Sequence, residues 1–156
     1  MSFNATEPKP ATESAIKNDG FWPDISPSEA RAAVRLDDGT VTAGRLRQAL
    51  ITAILEVGRD LTDWTDARRA EGHASLSDVP SCAVIDGKSM LLHSYLQAVY
   101  CYAKAAIIER MPDYDLTAAG QRKQEAFADA PADLRRDALW AISLIKGRPR
   151  ATVELI

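Results

Sequence analysis

Residues 42–72 read TAGRLRQALITAILEVGRDLTDWTDARRAEG, and this stretch decides the fold class of the chain. Its large apolar side chains recur every three or four residues, which is the spacing of one helix face and not of a strand. They are Leu46, Leu50, Ile54, Val57, Leu61 and Trp64. With Thr42 as the amino-terminal cap and Gly72 as the stop, the pattern predicts one continuous helix about 45 Å long. Part of so long a helix is expected to face water or a neighbouring subunit.

Four further helices complete an all-α prediction, a small antiparallel helical bundle around the long helix. They are expected at residues 27–36, 89–111, 116–130 and 131–147. Ser26 begins a capping box with proline at the first helical position, and Ser89 is the expected cap of the mostly buried third helix. Helix 116–130 has a weak apolar stripe and is expected to be peripheral. Gly58 lies in the middle of the long helix, where it marks either a close helix crossing or a slight bend.

The chain divides into three parts by composition. Residues 1–20 are poor in large hydrophobic side chains and are predicted to form a disordered arm. Residues 21–147 are the helical bundle domain, and its adjacent aromatic residues Phe21 and Trp22 are interpreted as an anchor that pins the arm to the body. Residues 148–156 are predicted to be an extended carboxyl-terminal tail.

The tail follows a helix stop and has an alternating pattern. Ala151, Val153 and Leu155 fall on one face of an extended chain, which is typical of a β-strand. No partner strand is evident in the predicted helical chain. The tail therefore either lies along its own subunit as an irregular segment or adds to an edge on another protein.

Length, charge and cysteine content limit the class of protein. The chain has 156 residues, 46% of them apolar, a net charge of −3 and a pI near 5.4, so one domain is expected and any DNA contact must be local. Cys82 and Cys101 are expected to be reduced thiols. There is no signal peptide and no long apolar run, so the prediction is a soluble intracellular protein without a membrane segment.

No motif predicts chemistry. There is no glycine-rich phosphate loop, and His73 and His93 lack metal-ligand spacing with each other. Ser81 and Cys82 lack the context of a nucleophile elbow. The acidic side chains that come closest to an acid and base pair are interpreted as solvated: Asp60, Asp63, Asp66, Asp113 and Asp115. We therefore expect no catalytic residue, no cofactor and no metal ion, and no enzymatic activity.

One basic cluster of a single sign lies at the start of the tail. It comprises Lys146, Arg148 and Arg150, and it suits phosphate contact or a salt bridge to an acidic partner equally well. The other basic residues occur as pairs along the helices: Arg45 with Arg47, Arg68 with Arg69, and Arg135 with Arg136.

Several short strings, in unbroken order from Ile16 to Ile156, carry a resemblance to a known family. They are Phe21-Trp22-Pro23-Asp24-Ile25-Ser26-Pro27, Arg45-Leu46-Arg47, Leu76-Ser77-Asp78-Val79-Pro80, Ile85-Asp86-Gly87-Lys88-Ser89, Trp140-Ala141 and Ile145-Lys146-Gly147-Arg148-Pro149-Arg150. On these the chain resembles the head completion (stabilisation) protein family, protein L, of contractile-tailed phages and prophages. None of the strings is a catalytic signature, so the specificity lies in their order and spacing.

The resemblance implies a structural role at the head–tail neck of a virion, after assembly in the host cytoplasm. It implies docking under the portal protein of a DNA-filled head, a homo-oligomeric ring following the portal's twelve-fold symmetry, and a surface for a tail-terminator or neck protein. The isolated protein is expected to be a monomer. The tail residues expected to hold the portal are Lys146, Arg148, Pro149, Arg150, Val153, Leu155 and Ile156.

The excess length of the long helix is interpreted as a face between subunits of this ring. The residues expected to pair across subunits are Arg45, Arg47, Glu56, Arg59, Asp63, Asp66 and Arg69. The alternative function is that of a DNA-binding packaging factor, which would use the basic cluster and the arginine pairs.

Overall fold

A computed structural model describes residues 13–36, 41–110 and 131–148, and within them the chain is largely helical. This confirms the all-α prediction. The helices and strands are α1 (Pro27–Val34), α2 (Ala43–Asp60), α3 (Thr62–Ala70), β1 (Val84–Ile85), β2 (Lys88–Ser89), α4 (Met90–Arg110) and α5 (Pro131–Ile145). The predicted helix 116–130 and the tail after Arg148 lie outside the described residues.

The caps predicted for these helices are present. The Ser26 side chain accepts a hydrogen bond from the Glu29 amide at 3.4 Å, and Thr42 does the same for Arg45 at 3.4 Å. Ser89 accepts from the Leu92 amide at 3.1 Å, which begins α4 where the sequence predicts. Each cap satisfies a backbone donor that the first turn of a helix leaves without a partner.

The prediction of one continuous helix over residues 42–72 is wrong. The helix is interrupted at Leu61, whose φ of −102° and ψ of 5° separate α2 from α3. The Thr62 hydroxyl donates to the carbonyls of Gly58 and Arg59 at 3.0 and 2.9 Å, and in an unbroken helix the amides of residues 62 and 63 would use those acceptors. Leu61 itself is fully buried in the core.

The glycines of this stretch differ in role. At Gly58 an added Cβ would meet nothing within 4 Å, so no described residue crosses the helix closely there. Gly72 ends α3 as predicted, with φ of +95°. The amides of Gly72 and His73 bond to the carbonyls of Arg69 and Arg68, which is the pairing of a Schellman motif.

Helix α4 is the centre of the described bundle. It packs against both α2 and α5, and 12 of its 21 residues are buried, among them Tyr95 and Val99. The centre is therefore α4, not the stretch 42–72, because α4 is apolar on nearly every side whereas α2 and α3 are amphipathic. No helix of the described part of the chain is long and apolar enough to cross a membrane.

Helix α5 runs antiparallel to α4. Arg135 near its start pairs with Glu109 near the end of α4 at 2.6 Å, and this hydrogen bond lowers the pKa of the Glu109 carboxyl. Since α4 ends at Arg110, α5 lies alongside it only by running back. Gly147, with φ of +66°, ends α5, and the Arg148 amide reaches back to the Ser143 carbonyl at 2.9 Å.

A small hairpin precedes α4. Strands β1 and β2 pair antiparallel through Val84 with Ser89 and Ile85 with Lys88. The two turn residues, Asp86 and Gly87, have φ of +50° and +69°, as a type I′ turn requires. The sequence indicates the turn but not the two short strands beside it.

The amino-terminal segment, residues 13–25, is attached to the bundle. Ile16 forms an antiparallel bridge with Ile25 and is buried. The Arg31 guanidinium bonds to Glu13 Oε1 at 2.8 Å and to the Val41 carbonyl at 2.8 Å. The predicted disordered arm is therefore wrong for residues 13–20, which gain backbone and ionic partners that composition alone does not reveal. Residues 1–12 lie outside the described residues.

Candidate functional site

The residues predicted to pair across subunits lie on two helices rather than one. Arg45, Arg47, Glu56 and Arg59 belong to α2, and Asp63, Asp66 and Arg69 belong to α3. The break at Leu61 divides them, so the predicted surface is not a single straight face.

Two of these arginines contact the amino-terminal segment of their own chain. Arg47 donates to the Ser14 carbonyl at 2.9 Å. Arg69 pairs with Asp19 at 2.9 Å, and its Cζ lies 5.3 Å from the centroid of the Phe21 ring. Both side chains therefore hold residues 13–25 within the subunit.

The other charged side chains of the predicted subunit interface differ in how much of their surface is exposed. Arg59 is mostly exposed and lies 3.4 Å from Asp60. Glu56 is half-buried, and its charge contributes to raising the pKa of the Tyr102 hydroxyl, which burial raises most. Asp63 and Asp66 are exposed and form no ion pair with the described residues.

A shallow groove of about 260 Å³ lies where α2 meets α3, and we call it the α2–α3 groove. Leu55 is at its rim with 68% of its surface exposed. Gly58 and Thr62 leave space in it because they are small. Residues of α2, α3, α4 and the amino-terminal segment line it: Asn18, Asp19, Trp22, Ile54, Leu55, Gly58, Arg59, Thr62, Thr65, Asp66, Arg69 and Tyr95.

An aromatic cluster joins the amino-terminal segment to the helices beneath this groove. The Trp22 ring is stacked on Tyr95 and on Trp64, with centroids 4.4 and 5.8 Å apart. The Asn18 amide donates to the Tyr95 hydroxyl at 2.8 Å, and burial raises the pKa of that hydroxyl to about 12. Phe21 and Trp22 are both buried, which confirms their interpretation as an anchor.

Helix α5 carries three exposed apolar side chains. Leu139, Trp140 and Leu144 are 50, 36 and 42% exposed. Trp140 and Leu144 are four residues apart and share one face, here called the α5 strip, whereas Leu139 lies on the opposite flank of the helix. All three lie outside the stripe that faces α4, which comprises Leu134, Ala138, Ala141, Ile142 and Ile145. Sequence reasoning missed both the α5 strip and Leu55. The only signal was their position beside, rather than within, the apolar stripe of each helix.

The start of the predicted portal-binding tail is described. Arg148 is exposed, and Lys146 is half-buried. Neither forms an ion pair within the described part of the chain. Pro149, Arg150, Val153, Leu155 and Ile156 lie outside it.

The residues considered for chemistry do not come together. His73 is 3.6 Å from Glu71, whereas His93 contacts the Ile85 carbonyl at 2.9 Å. Cys82 and Cys101 form no disulfide. In residues 13–36, 41–110 and 131–148, no three His, Cys, Asp or Glu side chains are grouped so that they could hold a metal ion. Asp113 and Asp115 lie outside those ranges.

Comparison with known proteins gives consistent matches along nearly the whole chain. A family model described as phage head completion protein (GPL) matches residues 16–156. The head completion/stabilization protein of Escherichia phage P2 is 37% identical over 150 residues, covering 96% of this chain and 88% of that protein. The probable head completion/stabilization protein of Haemophilus phage HP1 is 27% identical over 147 residues, covering 92 and 93%. No solved structure matches.

The family match confirms the resemblance drawn from the short strings of the sequence. The match covers nearly the whole chain, from residue 16 to residue 156. The members of this family are structural proteins of the virion, and the family is not a known enzyme family. The chain therefore belongs to the phage head completion protein family and has a role in phage head assembly.

Proposed function

We propose that the protein docks beneath the portal of a DNA-filled head, forms a ring with other copies, stabilises the packaged genome and prepares the surface for a tail-terminator or neck protein. It would act without catalysis at the head–tail neck, after assembly in the host cytoplasm. Membership of the head completion family carries this proposal.

The end of α5 supports a fastening role for the tail. The Schellman motif at Gly147 ends the helix sharply. Lys146 lies directly before Gly147 and Arg148 directly after it, and neither forms an ion pair with a described residue. Cationic side chains that have no ion pair within the subunit suit recognition of an acidic surface. The tail, Lys146 and Arg148 to Ile156, would hold the portal by strand addition and charge.

Truncation tests this proposal. Deletion of Arg148–Ile156 should leave the helical circular dichroism spectrum unchanged and abolish co-sedimentation with portal-bearing filled heads. Deletion of residues 1–12 is the matched control for loss of a chain end. If the protein without its tail still binds heads and protects their DNA from nuclease, the tail assignment is wrong.

A second candidate function is DNA binding, which Lys146 and Arg148 favour because phosphates would also neutralise them. Electrophoretic mobility of duplex DNA distinguishes the two functions. A DNA-binding packaging factor would shift DNA at low salt, lose affinity steeply as salt rises, and weaken further on Arg148→Glu. The portal-docking function predicts binding to heads without such a shift.

A further inference from the structure

The hairpin before α4 has a free edge. Strands β1 and β2 form a two-stranded sheet, so one side of β1 has no neighbouring strand in the described part of the chain. Ile85 pairs with Lys88 beside the turn, and the Met90 amide donates to the Ala83 carbonyl at 3.0 Å. Because hydrogen-bonded and non-hydrogen-bonded pairs alternate along an antiparallel ladder, Val84 directs its amide and carbonyl toward the free edge. This edge can therefore accept one further strand.

A mostly apolar groove lies beside this edge, and we call it the hairpin groove. Its volume is about 400 Å³, within the usual range for sites that take a ligand. Pro23, Leu76 and Leu92 contribute to its apolar walls. Val84 lines it and Ile85 does not, so the groove lies on the Val84 face of β1. Val84 is nevertheless 68% exposed, so no described residue covers this side chain.

One charged residue, Lys88, borders the hairpin groove. Lys88 is exposed, and within residues 13–36, 41–110 and 131–148 it forms no ion pair. Directly opposed residues of an antiparallel pair project to the same face, so its side chain belongs to the face of Ile85. A complementary strand would therefore present apolar side chains on the Val84 face and a carboxylate on the Ile85 face.

The tail of this chain has that chemistry. Val153 and Leu155 fall on one face of an extended chain, and Glu154 falls on the other. Placed along β1, the first two extend the apolar surface of Val84 into the groove, and the glutamate comes to the face that carries Lys88. A shift of one residue would instead put the glutamate into the apolar groove.

The groove of a subunit lies on the wrong side of the bundle for its own tail. Leu92 and Cys101 are nine residues apart on α4, about two and a half helical turns, so they lie on opposite sides of this helix. Leu92 lines the groove, whereas Cys101 packs against the cluster that contains Leu134 of α5. The tail that follows α5 therefore starts across the bundle from its own groove.

A neighbouring subunit of a ring offers the same groove within reach. Helix α5 ends on the side from which α4 begins, where the hairpin also lies. All copies of a closed ring have the same height and tilt, so the tail leaves one subunit level with the hairpin of the next. Residues 149–156 span about 26 Å when extended, which is more than two helix diameters of ~10 Å.

We propose that the tail of one copy adds as a strand to β1 of a neighbouring copy, with Val153 and Leu155 in the hairpin groove and Glu154 facing Lys88. This inference rests on the ring of the proposed function and assigns the contact between its subunits. Each copy gives one tail and receives another, as a closing ring of heterologous contacts requires. A strand has two edges, so the second edge of the tail, and the basic cluster at its start, remain for the portal.

Disulfide trapping in the 156-residue chain tests the pairing. Val84→Cys and Val153→Cys are made separately in a background that lacks the native thiols. That background carries Cys82→Ser and Cys101→Ala. Val84 is exposed, so folding should not change, which circular dichroism verifies. Oxidation of the two single variants together should give a mixed dimer, and the double variant should give a ladder of covalent oligomers, both increased by portal-bearing heads. In the matched control Ala67→Cys, on the exposed side of α3, replaces Val84→Cys and should lower the mixed-dimer yield at least tenfold.

Three outcomes would overturn the inference. Dimers from Val84→Cys alone, at the yield of the mixture, would indicate that two hairpins pair symmetrically. A link within one chain of the double variant would place the tail on its own subunit. The absence of linked chains, both at high concentration and on heads that bind the protein, would refute the pairing while docking stands. A ladder from a protein that does not bind heads would instead retain the pairing and refute the portal function.

A charge exchange gives an independent readout. Lys88→Glu should lower the yield of mixed dimer about fivefold at low salt, because it brings two carboxylates together. Glu154→Lys in the copy that gives the tail should restore most of the yield. Arg110→Glu, exposed at the other end of α4, is the matched control and should leave the yield unchanged. Failure of the exchanged pair to recover would contradict the position assigned to Glu154.

Discussion

The ring planes of Trp22 and Tyr95 are only 13° from parallel, with centroids 4.4 Å apart. This stack joins the amino-terminal segment to the helix at the centre of the bundle. It is supported by the Asn18 hydrogen bond to the same tyrosine, across 77 residues of sequence. The segment before α1 is therefore part of the core rather than a covering of it.

Replacement of Trp22 tests its place in the core. Trp22→Ala should lower the free energy of unfolding by about 3–5 kcal/mol, because a buried aromatic ring is lost and a cavity is left. Urea denaturation followed by circular dichroism measures the change. Trp140→Ala is the control, since 36% of that side chain is exposed and its loss should cost much less. Equal losses would contradict the burial assigned to Trp22.

Stability at alkaline pH should depend on Tyr95. Burial raises the pKa of its hydroxyl from 10.0 to about 12, so the folded state holds the phenolic proton more tightly than the unfolded chain does. The resulting contribution is complete below pH 10 and is lost as the pH rises from about 10 to about 12, by at most ~1.4 kcal/mol per pH unit. Urea titrations at several pH values measure this slope.

Tyr95→Phe provides the control for that slope. It removes the titrating group and one hydrogen bond, so it should cost about 1 kcal/mol at pH 7 and show a shallower loss above pH 10. An unchanged slope in this variant would assign the alkaline transition to other groups.

Residues 13–20 should contribute measurably to stability. We expect removal of residues 1–20 to lower the midpoint of thermal unfolding well below that of the protein lacking only residues 1–12. The additional loss comes from Ile16, Asn18 and Asp19, which contact Ile25, Tyr95 and Arg69. Equal midpoints for the two truncated proteins would support a disordered arm that extends to Gly20.

Two glycines should respond in opposite directions to alanine. Gly58→Ala should raise the free energy of unfolding by up to about 1 kcal/mol, because alanine favours a helix and its Cβ would meet nothing within 4 Å. Gly72→Ala should lower it by about 1 kcal/mol, because φ there is +95°. Denaturant titration compares the two. A destabilised Gly58→Ala protein would indicate a close neighbour at that position.

Local signals in the sequence were sufficient for the helix ends. Ser26, Thr42, Ser89, Gly72 and Gly147 act where predicted because a cap or a positive φ depends on a few adjacent residues. The predicted class and most helix bounds follow from these positions and from the spacing of apolar side chains.

The break at Leu61 could not be predicted in the same way. The apolar spacing continues through it, and the hydroxyl of Thr62, which bonds to the carbonyls of Gly58 and Arg59 at the break, gives no signal in that spacing. The attachment of Ile16 depends on a bridge to Ile25 and on partners far along the chain. The amino-acid composition of a segment does not reveal such contacts, because they depend on residues far from it in the sequence.

The surfaces were only partly predictable for a related reason. Charge patterns indicated outward-facing helices, but whether Arg47 and Arg69 face another subunit or their own amino-terminal segment depends on tertiary contacts. Leu55 and the α5 strip became visible only when the packing showed which side of each helix was already occupied.

The reversal of α5 along α4 has a consequence for how the subunit is held. The chain leaves the helices at Gly147 toward the side from which α4 begins, and the hairpin projects from that side with Val84 and Ile85 68 and 65% exposed. A partner that binds the chain beyond Arg148 would therefore approach the subunit from the side on which α4 begins, and not from the side on which Arg135 pairs with Glu109.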